Sequence, residues 1–149
     1  MNTDPPAIRI LPMSTEEFSG WSVEELQRKF FLEDLPSRPD GHYRYYKYGL
    51  KTPPDSVVLF QYRNALVASA VFRNCERFAK ADERGYEGAL YFDVKSIRVF
   101  GPVGPDDVSR IWPQFRGFSH VKQSLDPKGY ATFERGLKHV KAPRALPAL

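Results

Sequence analysis

Gln61 is the first residue whose type and place pose a chemical question. It sits near the end of the run Val57-Val58-Leu59-Phe60-Gln61-Tyr62, otherwise aliphatic and aromatic. In an extended strand Val57, Leu59 and Gln61 share one face, and Val58, Phe60 and Tyr62 the other. Gln61 therefore follows two core-type side chains inward. A buried amide without partners costs about 1–3 kcal/mol, so it must bond backbone or read the edge of a ligand such as a base. Ser69 poses a milder form of the same question. Upstream, Tyr43, Tyr45, Tyr46 and Tyr48 are interleaved with Arg44 and Lys47. Aromatic faces stack on bases while nearby cations take phosphates. A second aromatic group, Trp112, Phe115 and Phe118, is followed by the polar Ser119, Lys122 and Gln123. Core packing accounts for its aromatics, not for those polar side chains.

Familiar catalytic constellations are missing. There is no Gly-x-x-x-x-Gly-Lys phosphate loop, no Gly-x-Gly-x-x-Gly and no Gly-x-Ser-x-Gly elbow. His42, His120 and His139 lie too far apart for metal-ligand spacing. Cys75, the one cysteine, permits no internal disulfide and fits a reducing compartment. One nuclease-like pattern exists: Pro54-Asp55 before a strand and Asp93-Val94-Lys95 at a bend, a set that in other proteins holds magnesium and activates water. Turn chemistry explains both acids equally well.

The elements that must position these residues follow from local signals. Val57–Tyr62 and Ala65–Phe72 read as a hairpin turning at Arg63-Asn64, where Asn64 tolerates positive φ. Ser22 and Glu25 form a capping box that opens a helix running to Phe31 or Leu32. Residues 1–12 read as an irregular lead-in, and Arg73 to Glu87 as a long connection with a helical turn near Glu76–Lys80. Gly88–Val94 and Ser96–Val103 read as two strands. Gly104-Pro105-Asp106-Asp107 starts a short helix ending at Trp112-Pro113. His120–Leu125 reads as a last strand. Asp126-Pro127 then caps a closing helix with Tyr130, Phe133 and Leu137 on one face. The tail 142–149 reads as a loose end.

The 149 residues suit a single domain with a real core. The formal charge of +4 permits a polyanionic partner without demanding one. No apolar run approaches the ~20 residues of a membrane helix, and the N-terminus has no signal-peptide pattern. The expectation is a cytoplasmic protein without cofactor, metal or membrane association. Strands outnumber helices without strand-helix-strand alternation, so the expected class is α+β: a curled antiparallel barrel of about five strands with peripheral helices.

The order of these segments is similar to that of a known group. A Val-Leu-Phe strand and turn precede Leu66-Val67-Ala68-Ser69-Ala70-Val71. After a polar loop come Tyr91-Phe92-Asp93-Val94-Lys95-Ser96-Ile97-Arg98-Val99, a Pro-Val, a short helix, Phe118-Ser119-His120-Val121-Lys122-Gln123 and a closing helix. Over Tyr43 to Leu137 this resembles the PUA-like superfamily, with its EVE and YTH-type domains and the small domain joined to bacterial HNH endonucleases. The resemblance implies a reader of a modified or flipped base, DNA rather than RNA, in a restriction or defence setting, with any nuclease a separate partner. It implies a pocket lined by Phe60, Gln61 and the Tyr43–Tyr48 cluster, with Ser119, Lys122 and Gln123 across from it. Trp21 stands in for an early tryptophan-phenylalanine strand that this chain lacks. The competing readings are a metal-dependent nuclease built on Asp55, Asp93 and Lys95, and a protein- or small-molecule-binding domain.

Overall fold

Alternation in the hairpin puts apolar side chains on both faces, so both faces of its sheet must be covered. They are. The computed structural model describes residues 5–14, 17, 18, 20–46, 49–119 and 122–138. Its strands are β1 (Ile8–Pro12), β2 (Tyr43–Tyr45), β3 (Val57–Tyr62), β4 (Ala65–Arg77), β5 (Gly88–Val103) and β6 (Gln123–Leu125). They form one curled six-stranded sheet, a half-barrel, in the order β2-β5-β4-β3-β1-β6. Every neighbouring pair is antiparallel except β1 with β3.

One face carries Val58, Phe60 and Tyr62 of β3 with Phe72, Leu90 and Phe92. A helix over residues 23–37, α1, covers it through Leu26, Phe30, Phe31 and Leu35, whose spacing puts them on one stripe. The other face carries Ile8, Ile10, Val57, Leu59 and Phe100. Helices α2 (Pro105–Ile111) and α3 (Tyr130–Arg135) and their flanks cover it with Val108, Trp112, Phe115 and Phe133. Burying each such side chain contributes roughly 1.5–3 kcal/mol, so the two layers dominate stability.

The local signals behave as their chemistry requires. Ser22 Oγ accepts from the Glu25 amide at 3.1 Å, and Glu25 Oε1 accepts from the Ser22 amide at 3.0 Å. Ser22→Ala is expected to lower stability by about 1 kcal/mol, read as a thermal midpoint about 2–4 °C lower. The helix runs on past Leu32. Its middle, Leu26–Asp34, is π-helical, and the Leu35 amide donates five residues back to the Phe30 carbonyl. The hairpin turn has both central residues at positive φ, Arg63 at 49° and Asn64 at 63°, which matches the twist of the flanking strands. Gly104 to Trp112 and Asp126 to Arg135 fold as expected, with the Asp126 side chain accepting from the Lys128 amide.

Four expectations are corrected. The lead-in contains β1, held between β3 and β6. The polar stretch after Phe72 is strand to Arg77, because β4 overhangs β3 and keeps pairing with β5. The two strands expected around Lys95 are one bent strand, with the register to β4 shifting between Ser69 and Val71. The helical turn expected near Glu76–Lys80 does not form, since Glu76 and Arg77 pair with Ala89 and Gly88 of β5. Tyr48, Lys47, His120, His139 and residues 142–149 lie outside the described residues.

Candidate nucleic-acid interface

Two concave surfaces, neighbours along edge strand β2, gather Trp21, Tyr43 and Tyr45 of the predicted residues. The first is a cavity of about 490 Å³ between α1, β2 and the loop before β5. Trp21 and Tyr43 line it, joined by Phe18 and Phe30. Trp21 is half-buried and its backbone is fixed by the hairpin: Tyr62 Oη donates to the Trp21 carbonyl at 2.5 Å and Arg63 Nε at 3.1 Å. Arg63 also donates to the Gly20 carbonyl at 3.0 Å. The two-residue turn thus sets where the tryptophan stands.

Polar groups occupy the opposite wall. Arg38, Arg44 and Arg84 reach the cavity, with Glu17, Asp34 and His42 among them. Arg38 pairs with Asp34 at 2.9 Å, and Arg44 with Asp82 at 3.7 Å. Glu17 keeps solvent access as a residue, yet the protein packed around its carboxyl raises its pKa, against the Arg38 charge and the Tyr86 hydroxyl that lower it. Burial likewise pushes the Tyr43 phenol up. Tyr86 is pushed up to about 12, first by its hydroxyl contact with Tyr46. The two rings stack at 4.2 Å with 22° between planes. Tyr86 is buried and lines the cavity, while Tyr46, half in solvent, is the exposed large aromatic among the described residues. Its outer face is a ready stacking platform.

The second surface is a broad groove of about 780 Å³ two residues further along β2. Tyr45 forms part of its wall, and Arg9, Lys51, Arg73 and Arg77 supply its cations. Tyr45 Oη donates to the Glu76 carbonyl at 3.1 Å. Its ring lies over Gly88, where a Cβ would overlap it, so the absent side chain is what seats the tyrosine. Burial, then the Arg9 charge, lowers the pKa of Lys122.

The other predicted residues go elsewhere. Phe60 is fully buried among Phe31, Tyr43 and Phe92, so it offers no face to a ligand. Alternation placed it on the correct side of β3, but that side is core. Gln61 lines neither surface; its Oε1 is buried and, among the described residues, accepts no hydrogen bond. Gln123 Nε2 donates to the Gly117 carbonyl at 3.1 Å, and Gln123 lines a separate cleft with Trp112 and Phe115. Ser119 is exposed. The deeply buried glutamine is Gln27, on α1, whose Nε2 donates to the Val67 and Phe100 carbonyls at 3.1 and 2.7 Å. Arg73 pairs with both Asp55 and Asp93, the latter at 2.9 Å. The Lys95 amide, then this pairing, holds the Asp93 carboxyl below its usual range.

Sequence reasoning missed Glu17, Arg38, Arg84 and Tyr86. They lie in segments without periodicity, and only the isolated Tyr86 in a charged loop gave a signal.

The half-barrel with α1 across one face is the PUA-like fold. Solved structures that share this fold include ASCH from Zymomonas mobilis and two of its variants. ASCH from Zymomonas mobilis superposes with a TM-score of 0.54 at 9% identity, over 90% of this chain and 98% of that one. A serine-to-alanine variant of the same protein gives 0.54 at 10% identity, over 91% and 100%. A tyrosine-to-phenylalanine variant gives 0.51 at 11%, over 88% and 99%. No family model matches this sequence, and no curated protein does. Among the described residues no helix is long and apolar enough to cross a membrane.

Proposed function

We propose that this protein is a nucleic-acid-binding module that takes a single base, modified or flipped, into the cavity between α1 and β2. The observation that carries this reading is the convergence on one cavity of the half-buried Trp21, three arginines and Glu17, beside the Tyr46–Tyr86 stack. Ring faces hold a base by stacking, arginines hold its phosphates, and a carboxylate at the wall reads an exocyclic amino group. Extracting a base costs a few kcal/mol of stacking, least for a damaged, mismatched or single-stranded one. A modified base in DNA, read within a restriction or defence system with its nuclease supplied by a partner, is the form of the reading that the EVE- and YTH-type resemblance favours. The module binds rather than cuts: the guanidinium of Arg73 lies between Asp55 and Asp93, where a nuclease would seat its cation.

Titration of the protein with labelled DNA and RNA oligonucleotides, unmodified and carrying single modified bases, tests this at low salt. Tight binding to at least one probe, lost on Trp21→Ala, is expected; no binding to any probe discards the reading.

Glu17 gives it a pH dependence. The carboxylate accepts from an amino-bearing base only when ionised. Its raised pKa means that affinity declines as pH falls, and from a higher pH than for an ordinary glutamate. Glu17→Gln should flatten that decline. The same shift makes the ionised form a cost to folding, incurred as pH rises through the ordinary carboxylate range, so Glu17→Gln should also raise the thermal midpoint slightly at neutral pH.

A further inference from the structure

Two residues of the base cavity, Arg84 and Tyr86, come from the loop between β4 and β5. The base of that loop is tied to both neighbouring strands. The Phe78 amide donates to the Glu87 carbonyl at 2.8 Å, and the Glu87 amide donates to the Tyr45 carbonyl of β2 at 2.9 Å. Its tip is a turn over residues 82–86, in which Gly85 has a φ of 87°, a region that glycine enters at little cost. Two backbone bonds draw the turn together. The Asp82 amide donates to the Tyr86 carbonyl and the Gly85 amide to the Asp82 carbonyl, both at 2.9 Å.

The Asp82 side chain closes this turn. Its Oδ1 accepts from the Arg84 amide at 2.9 Å and from the Tyr86 amide at 3.0 Å, the local bonding that makes aspartate a turn former. Its Oδ2 lies 3.7 Å from the Arg44 guanidinium on β2. One carboxylate therefore joins three residues of the cavity, two through their backbone and one through its charge, while Asp82 itself does not line the cavity. Amide bonds to an ionised acceptor are roughly twice as strong as neutral ones. Arg84 depends on them most. Its side chain is exposed and, among the described residues, has no ion pair, so the reach of its guanidinium is set by its backbone. Resting on the base-binding reading above, we infer that Asp82 is a positioning residue of the cavity. It sets the Arg84 guanidinium and the Tyr86 ring where a bound base meets them, and it ties that wall to β2 through Arg44. Affinity then depends on a side chain that the ligand never touches.

The test compares the native chain with Asp82→Ala, Asp82→Asn and Trp21→Ala. Two quantities are measured: affinity for fluorescent single-stranded DNA and RNA 12-mers, and the exchange rate of individual backbone amides. Asp82 belongs to neither buried cluster, so its replacement leaves α1 and the sheet in place, which the thermal midpoint checks. Asp82→Ala should speed exchange at the Arg84 and Tyr86 amides by about tenfold or more while β3 and α1 keep their protection. It should also weaken 12-mer binding about tenfold. Asp82→Asn keeps a neutral acceptor for both amides and loses the charge facing Arg44. It should restore the protection of the two amides and most of the affinity. Native affinity in Asp82→Ala overturns the inference. So does equal weakening in Asp82→Ala and Asp82→Asn with faster exchange throughout the sheet, because Asp82 would then serve general stability alone. The base-binding reading fails separately. If Trp21→Ala loses binding and Asp82→Ala does not, the cavity stands and Asp82 has no part in it. If Asp82→Ala frees the two amides but the native chain binds no 12-mer, the turn is fixed as described, and both the base-binding reading and the effect of Asp82 on affinity fall.

Discussion

Phe60→Ala is expected to cost about 3–5 kcal/mol of stability and to lower the thermal midpoint by about 10 °C or more. The ring is inaccessible to solvent and lies 4.8 Å from Phe31, 5.4 Å from Phe92 and 6.2 Å from Tyr43, centroid to centroid. Those neighbours come from α1, β5 and β2, so the void left by truncation cannot close without moving three elements. Phe60→Leu, which fills most of the volume, should cost much less. At temperatures where the alanine variant remains folded, its oligonucleotide affinity should match that of the native chain. Calorimetry with a parallel binding titration decides the matter. A midpoint shift under about 2 °C together with weakened binding would return Phe60 to the ligand wall.

Trp21→Ala is expected to weaken oligonucleotide binding by about 1–3 kcal/mol, the usual worth of one aromatic stacking contact, or roughly 5- to 150-fold in dissociation constant. The cost should be in affinity more than in folding. Trp21 is half-buried, and its backbone is held at its carbonyl by Tyr62 and Arg63 rather than through its ring. Trp21→Phe should keep most of the affinity. Equal affinity for native and alanine forms would remove Trp21 from the site.

What could be read from the sequence was what local chemistry decides. The capping box at Ser22, the proline-led start of α2 and the turn at Arg63-Asn64 each depend on residues within four positions of one another, and each folds as read. Strand β1 could not be read that way. Ile8 to Pro12 is short and flanked by prolines, and its partners lie in β3 and β6, far along the chain. Alternation sorted Val57–Tyr62 correctly onto two faces, but it cannot distinguish a face that meets a ligand from one that meets a helix. Phe60 was misjudged for that reason. The site itself was half legible. Tyr43 and Tyr45 were singled out by type and Trp21 through the resemblance, whereas the walls opposite come from loops whose residues meet only in the folded chain.

The stitching of β1 has a consequence for how the chain is made. Arg9 ties the carbonyls of Lys51, Lys122 and Gln123, and β1 lies between β3 and β6. On a ribosome β3, β4 and β5, an antiparallel meander of neighbours in sequence, can pair as they emerge. The N-terminal strand, synthesised first, can dock on β3 but leaves its other edge bare until residue 125 is out. An unpaired edge is an invitation to another chain, and long-range closure is the slow step of such topologies. A transcript truncated within α2 would therefore yield a sheet complete but for its last partner, and aggregation rather than simple unfolding would be its fate.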